Sequence, residues 1–367
     1  MTRLYEFLIA LAIVFGLFLL VGLVLPSHRH LEESVETNRR MTIVHDTLNN
    51  VRRLKDWNAL IPANADELKY SGGSEAHTGV GARVDYDSAI RYYGQGSWEI
   101  TESRESELGG DPGKIVFAIN DSKVGDNKRS TFTLEPTGKN DRNVKITQSY
   151  DIDYGWNLFG RYMGMYVGRN IGDQMKGSLG KLSNMLSTVP NQDYRTPGTT
   201  LRDLRIVDLP AEDLLVVNAG NIDRNNEVIK GQINSNVEWI KRVMESNELE
   251  AAGPLRIITT DFGTEKYAFD VAQPVRRKDA KEGDTTSLKV KVDGTPVEHV
   301  HLEPRKSASA NYTGYMAELD VVRNSLRAWA VTAGHEVVDR PYESWKKGVD
   351  GSFLSDGEFE VFWAVKE

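Results

Sequence analysis

The feature that most constrains this chain is Phe7–Leu25, FLIALAIVFGLFLLVGLVL, which carries no charge. About nineteen residues rising about 1.5 Å each make a helix of roughly 28 Å, close to the thickness of a bilayer's hydrocarbon core. A helix buried in a soluble core keeps a polar side, whereas this run is apolar all round. A cleaved signal peptide has a shorter apolar region ending in small residues; here the run passes straight into Pro26-Ser27-His28-Arg29-His30. The expectation is an uncleaved single-pass transmembrane anchor over residues 1–28, with everything after it outside the bilayer. Arg3 on one side nearly balances Arg29, Arg39 and Arg40 on the other, so the charge bias that sets orientation is weak. The short leading segment favours a cytoplasmic N-terminus and a periplasmic body on a bacterial-type inner membrane.

About 340 residues follow the anchor, more than one ordinary core holds and suited to two domains. The net charge of −8, with no clustered basic stretch, argues against a nucleic-acid-binding face. The chain has no cysteine, so disulfides, thiol nucleophiles and thiolate metal sites are excluded. The polar stretch Pro190–Gly198, with a proline near each end, marks a boundary. It gives a first domain at 29–188, a linker at 189–201 and a second domain at 202–367.

In the first domain, an extended segment (His30–Glu36) precedes a helical pattern, Met41, Val44, Leu48, Val51 and Leu54, with its apolar residues on one face. Short β-rich runs follow at Ala82–Ala89, Gly96–Thr101, Lys114–Ala118, Ser130–Glu135 and Asn143–Tyr150, separated by Gly, Asp and Asn turns. This order predicts a curved antiparallel sheet. The spacing of Met163, Tyr166, Val167, Ile171, Met175, Leu179 and Leu182 predicts one long helix, Leu158–Leu186, lying across it.

The second domain reads as a duplication. Strand Arg205–Val217, helix Val228–Met244 and strands Leu255–Thr260 and Lys266–Val275 are followed by strand Val297–Ala310, helix Tyr315–Thr332 and strands His335–Trp345 and Glu358–Val365. Both halves are β-α-β-β, which predicts a cleft for a ligand on their pseudo-two-fold axis. The charged stretch Arg276–Thr286 reads as a solvated loop. The fold class is α+β throughout.

The segment Val44–Leu60, an aliphatic helix ending in Leu54-Lys55-Asp56-Trp57-Asn58, resembles the opening of the SRPBCC superfamily (START and polyketide-cyclase-like helix-grip domains). Gly79–Ala82, Phe132–Pro136 and Gly155–Tyr162 extend the likeness over roughly residues 30–188. The resemblance implies an apolar cavity between the sheet and the last helix, of the kind used for lipids, polyketides and other hydrophobic ligands. Trp57 reads as a plug at one cavity end, and Met163, Met165 and Met175 as core or an adaptable wall.

Residues 202–367 resemble the GyrI-like effector-binding fold of AraC-type regulators, through Val207–Ala211, Gly253-Pro254-Leu255, Gln273-Pro274-Val275, Gly314-Tyr315, Gly334-His335 and Tyr342-Glu343-Ser344-Trp345. That family binds small, often cationic aromatic molecules between aromatic walls and a buried glutamate. A carboxylate compensates the charge of a desolvated cation, and aromatic faces add cation–π attraction. The matching ligand-binding positions are Glu343 and Glu360, with Tyr315, Tyr342, Trp345 and Trp363 as walls. Trp345 stands where the family commonly has Tyr.

Catalytic signatures are sparse: there is no G-x-S-x-G, H-E-x-x-H, Walker loop or dinucleotide-binding glycine motif. His299 and His301, two apart on a strand, share a face as metal ligands would, but no third ligand is near and a solvated pair is the simpler reading. No cofactor or metal is expected. The sequence therefore points to a membrane-anchored binder of a small hydrophobic or aromatic cationic ligand. The alternative is a hydrolase using Glu343 and Glu360 as acid and base.

Overall fold

The apolar run forms one helix, α1 (Thr2–Val24), long and apolar enough to cross a membrane. The computed structural model describes residues 2–106, 110–195, 201–280, 283 and 286–366. The chain divides into two compact units, Met1–Val189 and Pro190–Glu367. The class is α+β, with one antiparallel sheet in each unit. The expected linker falls partly on 196–200, outside the described residues, as does much of the charged stretch after Arg277.

After α1 come β1 (His28–Thr37), α2 (Met41–Leu48) and α3 (Leu54–Trp57). The single helix expected over 41–54 is interrupted at Asn49-Asn50: Asn50 is extended, its side chain accepts from the Arg52 amide, and its backbone bridges to Thr78. The sheet continues through β2 (Leu68–Ser71), β3 (Arg83–Asp87), β4 (Gln95–Arg104), β5 (Gly113–Asp121), β6 (Asp126–Thr137) and β7 (Asn143–Asp153), and its order is β1-β7-β6-β5-β4-β3-β2. β2 has no counterpart in the pattern reading. Register shifts between Ile100 and Glu102 and between Asp126 and Arg129 mark bulges that bend the sheet.

The long helix expected over 158–186 is present as helical backbone without a gap, but it is irregular: α4 (Leu158–Met163), a 3₁₀ turn, a π turn at Gly168–Gly172 and α5 (Asp173–Ser187) follow one another. Glycines at 160, 164, 168 and 172 weaken the helix. Two of them bring it close to the sheet: a Cβ at Gly160 or Gly164 would stand 2.8 or 2.7 Å from the Tyr154 ring. Past these turns, Met175, Leu179, Leu182 and Leu186 are buried, and Arg39 holds the end of α5 through the carbonyls of Leu186 and Ser187. Trp57, Phe132, Phe117 and Trp98 form a chain of ring contacts in the same core, so most of the space beneath the sheet is filled.

The second unit contains β8 (Arg202–Leu209), β9 (Glu212–Asp223), α6 (Asn226–Ser246), β10 (Leu249–Ala251), β11 (Leu255–Phe262) and β12 (Lys266–Arg277). It continues with β13 (Val297–Leu302), β14 (Arg305–Gly314), α7 (Leu319–Ala333), β15 (Tyr342–Trp345), α8 (Gly348–Ser352) and β16 (Gly357–Ala364). The first strand of each repeat is broken near a proline, Pro210 and Pro304, whose missing N–H interrupts a ladder. The order β13-β9-β12-β11-β15-β16-β14-β8 is symmetric about β11 and β15, and each repeat donates its first strand to the edge of the other. The pseudo-two-fold axis thus runs where Ile257 faces Glu343 in the ladder.

Candidate functional site

A pocket of about 580 Å³ lies between the sheet and the irregular helical segment after α4, walled by Tyr150 and Ile152 of β7, Tyr154 after it, Met163 of α4, and Val167 and Ile171 of the turns. Arg91, Tyr92, Lys123 and Val124 complete it from two loops. Strand alternation puts Tyr150, Ile152 and Tyr154 on the inner face. The cavity expected between sheet and last helix is thus present at one end only. Of the three methionines, Met163 lines it, Met165 is exposed and Met175 belongs to the core. Trp57 is core, edge-on to Phe132.

The pocket has one polar corner. Lys128 is buried and donates to Asp121 Oδ1 and to the Lys123 carbonyl, both at 2.5 Å. Burial, reinforced by Asp121, holds the Tyr150 phenol above its ordinary pKa, so this wall stays uncharged. Burial pushes the Lys123 ammonium down and neighbouring Lys128 adds to this, against the pull of Asp121; its Nζ lies 4.5 Å from the Tyr92 ring centre. The result is an apolar and aromatic chamber with cations at one edge.

In the second unit, Glu343 is fully buried on the axis, on the face covered by α6 and α7. Arg323 of α7 donates from Nε to Glu343 Oε1 at 2.5 Å, and its Nη2 approaches the Tyr267 hydroxyl at 3.4 Å. Burial disfavours the Arg323 cation, but the Glu343 carboxylate, with Tyr267 and Asp320 adding to it, raises its pKa on balance. Glu343 Oε2, Arg323 Nη1 and Trp345 Nε1 have no hydrogen-bond partner among the described residues. Burial pushes the Tyr267 phenol up to about 12, with Arg323 opposing.

The six expected site residues do not converge. Glu343, Trp345 and Trp363 face the helices: Trp345 packs edge-on to Phe353 and Phe359, and Trp363 donates to the Asp339 carbonyl. Tyr342 and Glu360 point to the other face. There Tyr342 stacks on Phe362 under the Arg256 guanidinium, and Glu360 pairs with Arg205 and Lys346. Tyr315 is exposed in the turn ahead of α7, and its hydroxyl accepts from Asn226 at the start of α6. The acid–base pair of the hydrolase alternative is therefore divided by the sheet.

His299 and His301 are not a solvated pair. Both bond to Oδ1 of the buried Asp213, at 2.7 and 3.1 Å. Pattern reading missed Arg323, Tyr267 and Asp213, which reach their partners from other elements. It also missed His45, Asp46 and Glu105, whose ligand-type atoms lie within 4.8 Å of one another.

No family model matches this chain, and neither does any curated protein. Among solved structures, the EcmrR C-terminal domain is similar at 13% identity, covering 46% of this chain and 99% of that one, with a TM-score of 0.35. Norcoclaurine synthase from Thalictrum flavum, in complex with dopamine and hydroxybenzaldehyde, gives 13% identity, 46% and 91% coverage, and 0.32. An EcmrR–DNA complex gives 13% identity, 58% and 72% coverage, and 0.36. Likenesses this low carry no statement about ligand, partner or activity.

Proposed function

We propose that this protein is a membrane-anchored binder of a small hydrophobic or amphiphilic molecule, held in the pocket between β7 and the irregular helical segment after α4. The pocket itself carries this reading. Its volume suits a ligand of a few hundred daltons, and its walls are more apolar and aromatic than polar, with Ser122, Asn170 and three basic side chains among them, a composition that suits a small-molecule site. Arg91 and Lys123 at its edge favour an acidic or strongly polar head group. An anchor places such a pocket beside the phase in which its ligands partition.

The test is photo-crosslinking of the full chain in lipid nanodiscs with a diazirine-bearing fatty acid. Adducts on Tyr150 and Ile152 of the inner sheet face, competed by unlabelled fatty acid, are expected. Adducts confined to residues 3–25 would refute the pocket.

The Glu343 site supports a second reading. Because Arg323 already neutralises Glu343, a simple cation gains little there. Oε2 accepts and Nη1 donates, so a ligand carrying both a donor and an acceptor fits the pair. Saturable quenching of tryptophan by such a ligand, lost in Glu343→Gln, is the expected result; quenching that is indifferent to Glu343→Gln excludes the site.

A further inference from the structure

The contact between anchor and first domain limits where the bilayer surface lies. Leu158 and Tyr162 of α4 pack on Gly22, where a Cβ would stand 3.2 Å from Leu158 Cβ and 3.3 Å from the Tyr162 ring. Tyr162 stacks on Phe18 and donates to the Phe18 carbonyl at 2.8 Å. Phe18 lies well inside the apolar helix, roughly 9 Å before its end at Val24. If α4 stood clear of lipid, only Arg3–Leu17 would remain to cross, roughly 22 Å of helix against a core of about 30 Å. The span then falls short.

The outward face of this segment is built for the alternative. Trp156 is 83% exposed, Phe159 61% and Tyr166 56%, with Met163 and Met165 also exposed. Phe159, Met163 and Tyr166 recur at helical spacing on one side, while Gly160 and Gly164 face Tyr154. Aromatic rings of this kind concentrate where acyl chains meet head groups. Arg161 satisfies the end of the anchor: its Nη1 donates to the carbonyls of Gly22, Leu23 and Leu25, groups that have no partner in lipid otherwise. The cations at the pocket edge suit anionic head groups.

We infer that the face formed by Trp156, Phe159, Met163, Met165 and Tyr166 is embedded in the interfacial layer of a phospholipid bilayer, so that the pocket, which shares Met163 with this face, opens towards lipid. The inference rests on the anchor proposed above and specifies how the domain sits on the bilayer and from which side a ligand enters.

The experiment uses the full chain in nanodiscs of phosphatidylcholine and phosphatidylglycerol, with and without phosphatidylcholine brominated at acyl positions 6 and 7. Brominated lipid is expected to quench the wild type, and Trp156→Phe to lose at least half of the quenched emission. Phe159→Glu combined with Tyr166→Glu, both at exposed positions, is expected to halve the quenching of Trp156. Equal quenching in wild type and Trp156→Phe overturns the inference. Carbonate extraction in parallel separates the causes: a chain that stays with the membrane while Trp156 is unquenched refutes the embedded face alone, and a chain released by carbonate refutes the anchor and the inference with it.

Discussion

Tyr162 stacks on Phe18 with ring centroids 4.7 Å apart and planes 8° from parallel, coupling the first domain to the interior of the apolar helix α1. A helix joined only at its end would let the domain swing. Here α4 lies along the last two turns of α1, Arg161 closes the junction, and the Tyr154 amide donates to the Ser27 carbonyl at 2.7 Å. The pocket therefore has a set orientation relative to α1.

That junction depends on Gly22 and Arg161. Gly22→Leu is expected to push Leu158 and Tyr162 away, and Arg161→Met to leave the helix-end carbonyls unpaired. Loss of one charge-assisted hydrogen bond, about 1.5–3 kcal/mol, speeds local opening roughly ten- to a hundredfold. Hydrogen exchange over residues 156–166 should accelerate by that order in both variants. Protection equal to wild type would show that the junction contributes nothing.

The Arg323–Glu343 pair makes a different prediction. Removing one partner strands a buried charge at a cost of about 3–5 kcal/mol, whereas replacing both with apolar residues is nearly neutral. Glu343→Ala should lower the unfolding midpoint of the second unit markedly, and Glu343→Leu with Arg323→Met should recover most of it, as followed by near-ultraviolet circular dichroism. A neutral Glu343→Ala would mean that the pair is not buried in solution.

Tyr267 predicts an alkaline limit. Its phenol ionises at about 12 in the folded state against about 10 in the unfolded chain. Its stabilising contribution is therefore complete below pH 10 and is lost as the pH rises towards 12, a loss of about 3 kcal/mol. Tyr267→Phe should flatten the fall in stability of the second unit between pH 10 and 12 by about one proton. Identical slopes in the two proteins would contradict the assignment.

What the sequence made legible follows the range of the interactions. The apolar helix α1 and β4 to β7 could be read closely because apolar runs and alternation are local. The 3₁₀ and π turns after α4 could not, because the apolar spacing there reads as that of a regular helix. Glu343 stood out as a candidate, but Arg323 reaches it from α7, whose helical phase against β15 no local pattern specifies. The separation of Tyr342 from Glu343 was legible all the same: adjacent residues of a strand point to opposite faces.

The most direct test of the account is saturation binding of a radiolabelled fatty acid to the full chain in nanodiscs, corrected for partitioning into empty discs, in wild type, Ile152→Trp and Glu343→Gln. The account predicts saturable binding near one molecule per chain, abolished when Trp fills the pocket at position 152 and retained in Glu343→Gln. Saturable binding that survives Ile152→Trp, or the absence of any saturable component in the wild type, would contradict it.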